Sequence, residues 1–172
     1  MIVAVLAGGR GSRLGGAKAT ALLAGEPLIA HVLRAAAGFE TVVVAKRTTS
    51  LPAVDVPVWI EPDEPFHPLT GVVTALERGG ACVAVACDQP RVTSALLREL
   101  GAARAVASVD GAYEPFPGYY APEQLDVLRE ALAQEAGLRR TLARLAPPRL
   151  EVDPRLVASV NTPDELAGFE LA

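Results

Sequence analysis

Lysine is almost missing from this chain of 172 residues: 14 of its 16 basic residues are arginine, and Lys18 and Lys46 are the two exceptions. Cysteine and histidine are as rare, with two of each, and aromatic residues make up only 5%. Each shortage excludes something. Cys82 and Cys87 form no CxxC pair and have no histidine cluster beside them, which leaves no ligand set for structural zinc and suits a reducing compartment. Their odd spacing within one apolar run sends them to opposite faces of a strand, so they read as buried, unpaired thiols. Positive charge is not in excess either, since the net charge is −4. A nucleic acid or an anionic membrane would require a basic face, so neither is expected as a partner. The apolar opening Met1 to Ala7 is too short for a membrane helix and lacks the basic start and small-residue cleavage site of a signal peptide, so a cytoplasmic protein is expected. Internal repeats, linkers and low-complexity segments are absent.

What is abundant is alanine, at 31 positions, within an apolar fraction of 51%. A chain of this length buries roughly 70% of its unfolded surface as one domain, here residues 1–172. Nearly continuous apolar runs recur at Ile2 to Leu6, Thr41 to Ala45, Val56 to Ile60, Cys82 to Ala86 and Ala105 to Val109, as in strands buried on both faces. Helical spacing fills Pro27 to Ala37, Leu69 to Arg78 and Thr93 to Ala103, with glycines after the first two. This alternation predicts a three-layer α/β fold, an open and mostly parallel sheet with helices on both faces. The aromatic segment Gly111 to Pro122 predicts a short hairpin or a wall over a pocket. Helices are expected at Pro122 to Ala133 and Leu138 to Leu145, with a short strand near Leu150 to Val152. A last helix should start at Thr162, where Glu165 completes a capping box.

Chemistry concentrates in the stretch after the first strand, Leu6-Ala7-Gly8-Gly9-Arg10-Gly11-Ser12-Arg13-Leu14-Gly15-Gly16-Ala17-Lys18. Glycines let backbone N–H groups converge on phosphate oxygens, and Arg10, Arg13 and Lys18 supply the positive charge that the chain otherwise lacks. In an open α/β sheet such a loop lies at the carboxyl edge, where ligands bind. It is not a P-loop, because Gly-Lys-Ser/Thr is missing. Asp88 closes the run Cys82 to Cys87 and should face the same rim. A carboxylate beside bound phosphates is a suitable Mg²⁺ ligand, although an Asp there also suits a helix cap.

Taken together, Leu6-Ala-Gly-Gly-x-x-Ser-Arg-Leu-Gly-x-x-Lys18, Pro68-Leu-Thr-Gly71, Cys87-Asp88-x-Pro90 and Asn161-Thr-Pro-x-Glu-Leu166 resemble the molybdenum cofactor guanylyltransferases. The similarity keeps one order from residue 2 to about 169. It implies a Rossmann-like sheet of the nucleotide-diphospho-sugar transferase type and transfer of GMP from MgGTP to the terminal phosphate of molybdopterin, with pyrophosphate released. By the resemblance, Leu6, Ala7 and Gly8 meet the nucleoside, while Gly9, Gly11, Ser12, Arg13 and Lys18 meet the phosphates. Arg13, Lys18 and Asp88 are then the catalytic set, and Asp88 holds the Mg²⁺. Asp63 approximates an acidic nucleotide contact, and Glu114, Tyr119 and Asn161 are assigned to the acceptor. Transient contact with other cofactor-assembly proteins or molybdoenzyme chaperones also follows from it.

Three positions depart from the family pattern: Ala17 replaces an Asp, His67-Pro68 replaces Gly-Pro, and Lys46 stands where an asparagine near the guanine or ribose is expected. The residues therefore leave open a cytidylyltransferase or a sugar-phosphate guanylyltransferase. A reading from another class takes Gly9-x-Gly11 and Lys46-Arg47 as an NADP-binding oxidoreductase, although Leu14 replaces the third glycine. A non-catalytic nucleotide-binding adaptor is a third. His31 and His67 read as structural or surface residues, and Trp59 as core.

Overall fold

The computed structural model describes residues 1–9, 14 and 18–169. In chain order it contains β1 (Ile2–Leu6), the small hairpin β2 (Leu22–Leu23) and β3 (Glu26–Pro27), α1 (Leu28–Ala35), β4 (Thr41–Ala45), β5 (Val58–Ile60) and α2 (Pro68–Gly79). There follow β6 (Cys82–Ala86), α3 (Ser94–Ala103), β7 (Val106–Val109), β8 (Ala112–Tyr120), α4 (Leu125–Ala133), α5 (Leu138–Leu145), β9 (Arg149–Glu151) and α6 (Pro163–Gly168). The main sheet has the order β5-β4-β1-β6-β8-β7-β9, and β8 runs against its neighbours while the other pairs are parallel. Among the described residues no helix is long and apolar enough to cross a membrane.

The two-residue period of each central strand divides the core between the two faces. Val3 and Val5 of β1, Val43 of β4 and Val83 of β6 pack with α1 and α3, through residues such as Ile29, Val32, Leu97 and Leu100. Ile2, Ala4, Val42, Val44 and Ala84 face α2, α4 and α5, through Leu69, Val72, Leu128 and Leu142. Cys82 and Cys87 fall on opposite sides, both buried and unpaired. Burial pushes both thiols up to about 12.

Two boundaries differ from the sequence expectation for backbone reasons. β5 starts at Val58 rather than Val56, since Pro57 has no N–H to offer and contributes its carbonyl, which accepts from Val43 N at 2.9 Å. The aromatic hairpin pairs β8 with β7 and turns at Asp110 and Gly111, with φ of 51° and 75°. Two consecutive positive φ values match the twist of a tight hairpin, and Asp-Gly tolerates them. Trp59 is half-buried under Arg78, whose guanidinium lies 4.7 Å from the ring centroid, rather than deep in the core.

β1 has β4 on one side and β6 on the other, so the crossovers leaving it diverge. In open α/β sheets this divergence opens a crevice at the carboxyl ends of the strands.

Candidate active site

A cavity of about 430 Å³ occupies that crevice. β1 delivers Leu6, Ala7, Gly8 and Gly9 to its wall, the short 3-10 helix Lys18–Thr20 delivers Lys18, and β6 delivers Asp88. Lys18 Nζ donates to Asp88 Oδ2 at 2.5 Å and to Asn161 Oδ1 at 2.7 Å. Asp88 is only 6% exposed, and its second oxygen, Oδ1, is buried without a hydrogen-bond partner among the described residues. A buried carboxylate oxygen left unpaired is costly, and a cation arriving with phosphates and water would satisfy it. Among the described residues no group of three or more His, Cys, Asp or Glu could hold a metal alone. The donor set therefore fits a hard ion that keeps water and substrate oxygens as its other ligands.

The C-terminal segment fastens this rim. Val160 N donates to Asp88 O at 2.8 Å, and Gln89 Nε2 donates to Phe116 O at 2.6 Å and Val157 O at 2.8 Å. Gln89 is 3% exposed, and its Oε1 accepts from Ala86 N at 3.2 Å. One amide thus ties the end of β6 to β8 and to the segment that carries Asn161. The capping box of α6 forms as expected, with Thr162 Oγ1 accepting from Glu165 N and Glu165 Oε2 accepting from Thr162 N, both at 3.2 Å, and Glu165 Oε2 also accepts from Asn161 N at 2.6 Å. The Asn161 side chain remains free to meet Lys18.

On the opposite side, His67 caps α2 by accepting from Leu69 N at 3.1 Å. This explains the His67-Pro68 departure structurally, and burial lowers the imidazole's pKa. The acid on this side is Glu61, which the sequence reading missed. It is 5% exposed, and an added Cβ on Gly8 would stand 1.8 Å from its Oε1. The same construction on Gly71 would stand 2.9 Å from Oε2. These two glycines therefore provide space for a carboxylate. Lys46 Nζ lies 3.3 Å from Glu61 Oε1. Burial pushes the Glu61 carboxyl above its usual range, while the Lys46 charge and hydrogen bond pull it back.

Several expected residues lie elsewhere. Asp63 is exposed and does not line the cavity, whereas Glu61, two residues earlier, does. Glu114 pairs with Arg139, and Tyr119 is buried with α3 under Arg104, so neither lines the cavity, whereas Phe116 of the same strand does. Phe116 and Tyr119 are an odd number of residues apart and point to opposite faces. Gly11, Ser12 and Arg13, like Arg10, lie outside the described residues. His31 is structural: it is buried, with Nε2 3.1 Å from Leu23 O. Lys46, 3% exposed and paired with Glu61, is not available to a 2′-phosphate, which takes one of its two cations from the NADP reading.

A glycine-lined crevice at the switch point of a mostly parallel sheet, with a lysine, a buried aspartate and an orphaned oxygen on one rim, defines a nucleotide-binding α/β transferase. Residues 3–150 match the MobA-like NTP transferase domain. A molybdenum cofactor guanylyltransferase from Pseudomonas putida is 35% identical over 95% of this chain and 94% of its own. The molybdopterin-guanine dinucleotide biosynthesis protein A of Archaeoglobus fulgidus has a similar crystal structure, with a TM-score of 0.79, 28% identity, and coverage of 98% of this chain and 96% of that one. Rv0371C of Mycobacterium tuberculosis, solved in complex with manganese, shares the fold with a TM-score of 0.73 at 21% identity, over 97% and 96% of the two chains. The chain belongs to the MobA-like NTP transferase domain family, and it is a nucleotidyltransferase.

Proposed function

We propose that this nucleotidyltransferase moves GMP from MgGTP to the terminal phosphate of molybdopterin, forming molybdopterin guanine dinucleotide and pyrophosphate within a single domain of residues 1–172. The observation that carries the reading is the Lys18, Asp88 and Asn161 cluster, with Asp88 Oδ1 unpaired among the described residues on the cavity rim. The names of the relatives give the acceptor.

Nucleotidyl transfer needs the attacking and leaving oxygens held in line and the charge on the phosphoryl oxygens neutralised, so no protein nucleophile is required. Asp88 would hold the Mg²⁺, which supplies a Lewis acid for the phosphates when bound. Gly9, Gly11, Ser12 and Arg13 take the triphosphate, and Leu6, Ala7 and Gly8 take the nucleoside. Lys18 follows charge onto the departing pyrophosphate, for which a compact ammonium on a flexible stem is suited. Asn161 keeps that ammonium at the rim, and Phe116 and Ser159 offer an acceptor wall on the β8 side.

Incubation with α-labelled GTP, Mg²⁺ and molybdopterin should convert label into the dinucleotide with one pyrophosphate released per transfer. Absence of pyrophosphate with every nucleotide tried would overturn the reading.

A further inference from the structure

The transfer chemistry proposed above gives no role to a buried pair of opposite charges. Lys46 is 3% exposed and Glu61 is 5% exposed. Burying such a pair often returns less than the desolvation it requires, so the fold alone does not call for it. The two members are also unequal in position. Glu61 lines the cavity, whereas Lys46 stands behind it, donating to Pro62 O at 2.5 Å and lying 4.7 Å from the Phe66 ring centroid.

The sheet order fixes which end of a nucleotide meets Glu61. Glu61 follows β5 and Asp88 follows β6, with β4 and β1 between them. Three strand spacings separate those two strand ends by about 14 Å. Phosphates gather at the Lys18 and Asp88 end, and a second carboxylate would repel them, so Glu61 faces the part of the ligand without phosphate. The neighbouring walls, Leu6, Phe66 and Pro68, are apolar surfaces suited to a flat ring.

We propose that Glu61, pinned by Lys46, is the base-reading group of this site and accepts hydrogen bonds from the N1–H and the 2-amino group of guanine. Guanine is the nucleobase that presents two adjacent donors to a group with acceptors only. Adenine and cytosine each place a ring-nitrogen acceptor beside their amine, and uracil flanks its one N–H with carbonyls, so each sets a lone pair against the carboxylate. Lys46 is a positioning residue: it occupies the side of Glu61 away from the cavity and fixes the carboxylate over Gly8 and Gly71. The lysine that breaks the family pattern thereby orients the acid that selects the base. The inference rests on the nucleotidyltransferase reading, and its test separates the two.

Calorimetric titration of GTP, ITP, ATP and CTP with Mg²⁺ provides the test, because ITP differs from GTP only in lacking the 2-amino group. Wild type should bind GTP about tenfold or more tightly than ITP, since a group built to pair a substrate N–H rejects an analogue without it. In Glu61→Gln the GTP-to-ITP ratio should fall towards unity. Lys46→Met should shrink the same ratio, whereas a purely structural lysine would weaken all four nucleotides alike. Equal binding of GTP and ITP by wild type overturns the proposal even if neither variant folds. A GTP preference that survives Glu61→Gln overturns it and leaves the nucleotidyltransferase reading intact. Failure of every nucleotide to bind overturns both.

Discussion

Lys18 and Asp88 stand 70 residues apart in the sequence and meet as a 2.5 Å ion pair, with the aspartate side chain 8% exposed and the lysine 22%. The pair brings the only charged groups of the β1 and β6 ends that line the cavity, among the described residues, onto one rim.

If these two groups hold the metal and the phosphates, their loss should reduce the rate while leaving the fold. Asp88→Asn is expected to cut turnover about a hundredfold and Lys18→Ala at least about tenfold, because each removes charge stabilisation at the reacting phosphate. Steady-state kinetics beside circular dichroism would check both. A near-normal rate in a folded variant would remove that residue from the mechanism.

Gly8 and Gly9 are adjacent but differ in what surrounds them. An added Cβ on Gly8 meets Glu61 Oε1 at 1.8 Å, while one on Gly9 meets nothing within 4 Å. Gly8→Ala should therefore lose about 1–3 kcal/mol through overpacking. Gly9→Ala should stay within about 0.5 kcal/mol of wild type. Paired thermal melts would decide, and equal melting temperatures would show that Glu61 moves aside without cost.

Replacing Gln89 by leucine removes the amide that serves Ala86 N, Phe116 O and Val157 O in a site 3% exposed. Buried backbone groups deprived of partners cost about 1–3 kcal/mol each, so Gln89→Leu should lower the urea-unfolding free energy by about 2 kcal/mol or more. GTP turnover should fall with it, because Asn161 depends on the same anchor.

Glu61 also gives a pH dependence with a definite sign. Its folded pKa is raised above 4.5 by burial, against the opposing effect of Lys46, so the folded chain holds this proton more tightly than the unfolded one. Its contribution to stability therefore declines as pH rises from near 4.5 through the raised pKa. The double variant Glu61→Gln, Lys46→Met lacks this titration. Urea unfolding across that window should show wild type losing stability relative to the double variant as pH increases; parallel profiles would mean that Glu61 titrates as it does in the unfolded chain.

Much of the fold was legible because its strands are buried on both faces. Ile2–Leu6 and Cys82–Ala86 are apolar without a break and Thr41–Ala45 is apolar after its first residue, so their limits coincide with the chemistry. Asp88 was legible for a related reason, as the first charge after such a run. Glu61 is also the first charge after a strand, and the apolar run marked the end of that strand at Ile60, yet β5 is only three residues long with two of them exposed, so nothing in the run distinguished Glu61 from a surface acid. Its partner Lys46 comes from the strand that only the sheet order puts beside it. That Phe116 rather than Glu114 or Tyr119 lines the cavity was not legible, because an aromatic cluster does not reveal which alternate residues face inward. The Asp110-Gly111 pair would have fixed the hairpin turn.

The docking of Asn161 onto Lys18 spans 143 residues. On a ribosome Lys18 is therefore made early, and its rim is completed only when the stretch bearing Val157, Val160 and Asn161 has emerged. A stalled or clipped product could hold every strand of the sheet and still have Asp88 without its backbone anchor. Emergence of this late segment, rather than formation of the sheet, completes the rim around Lys18 and Asp88.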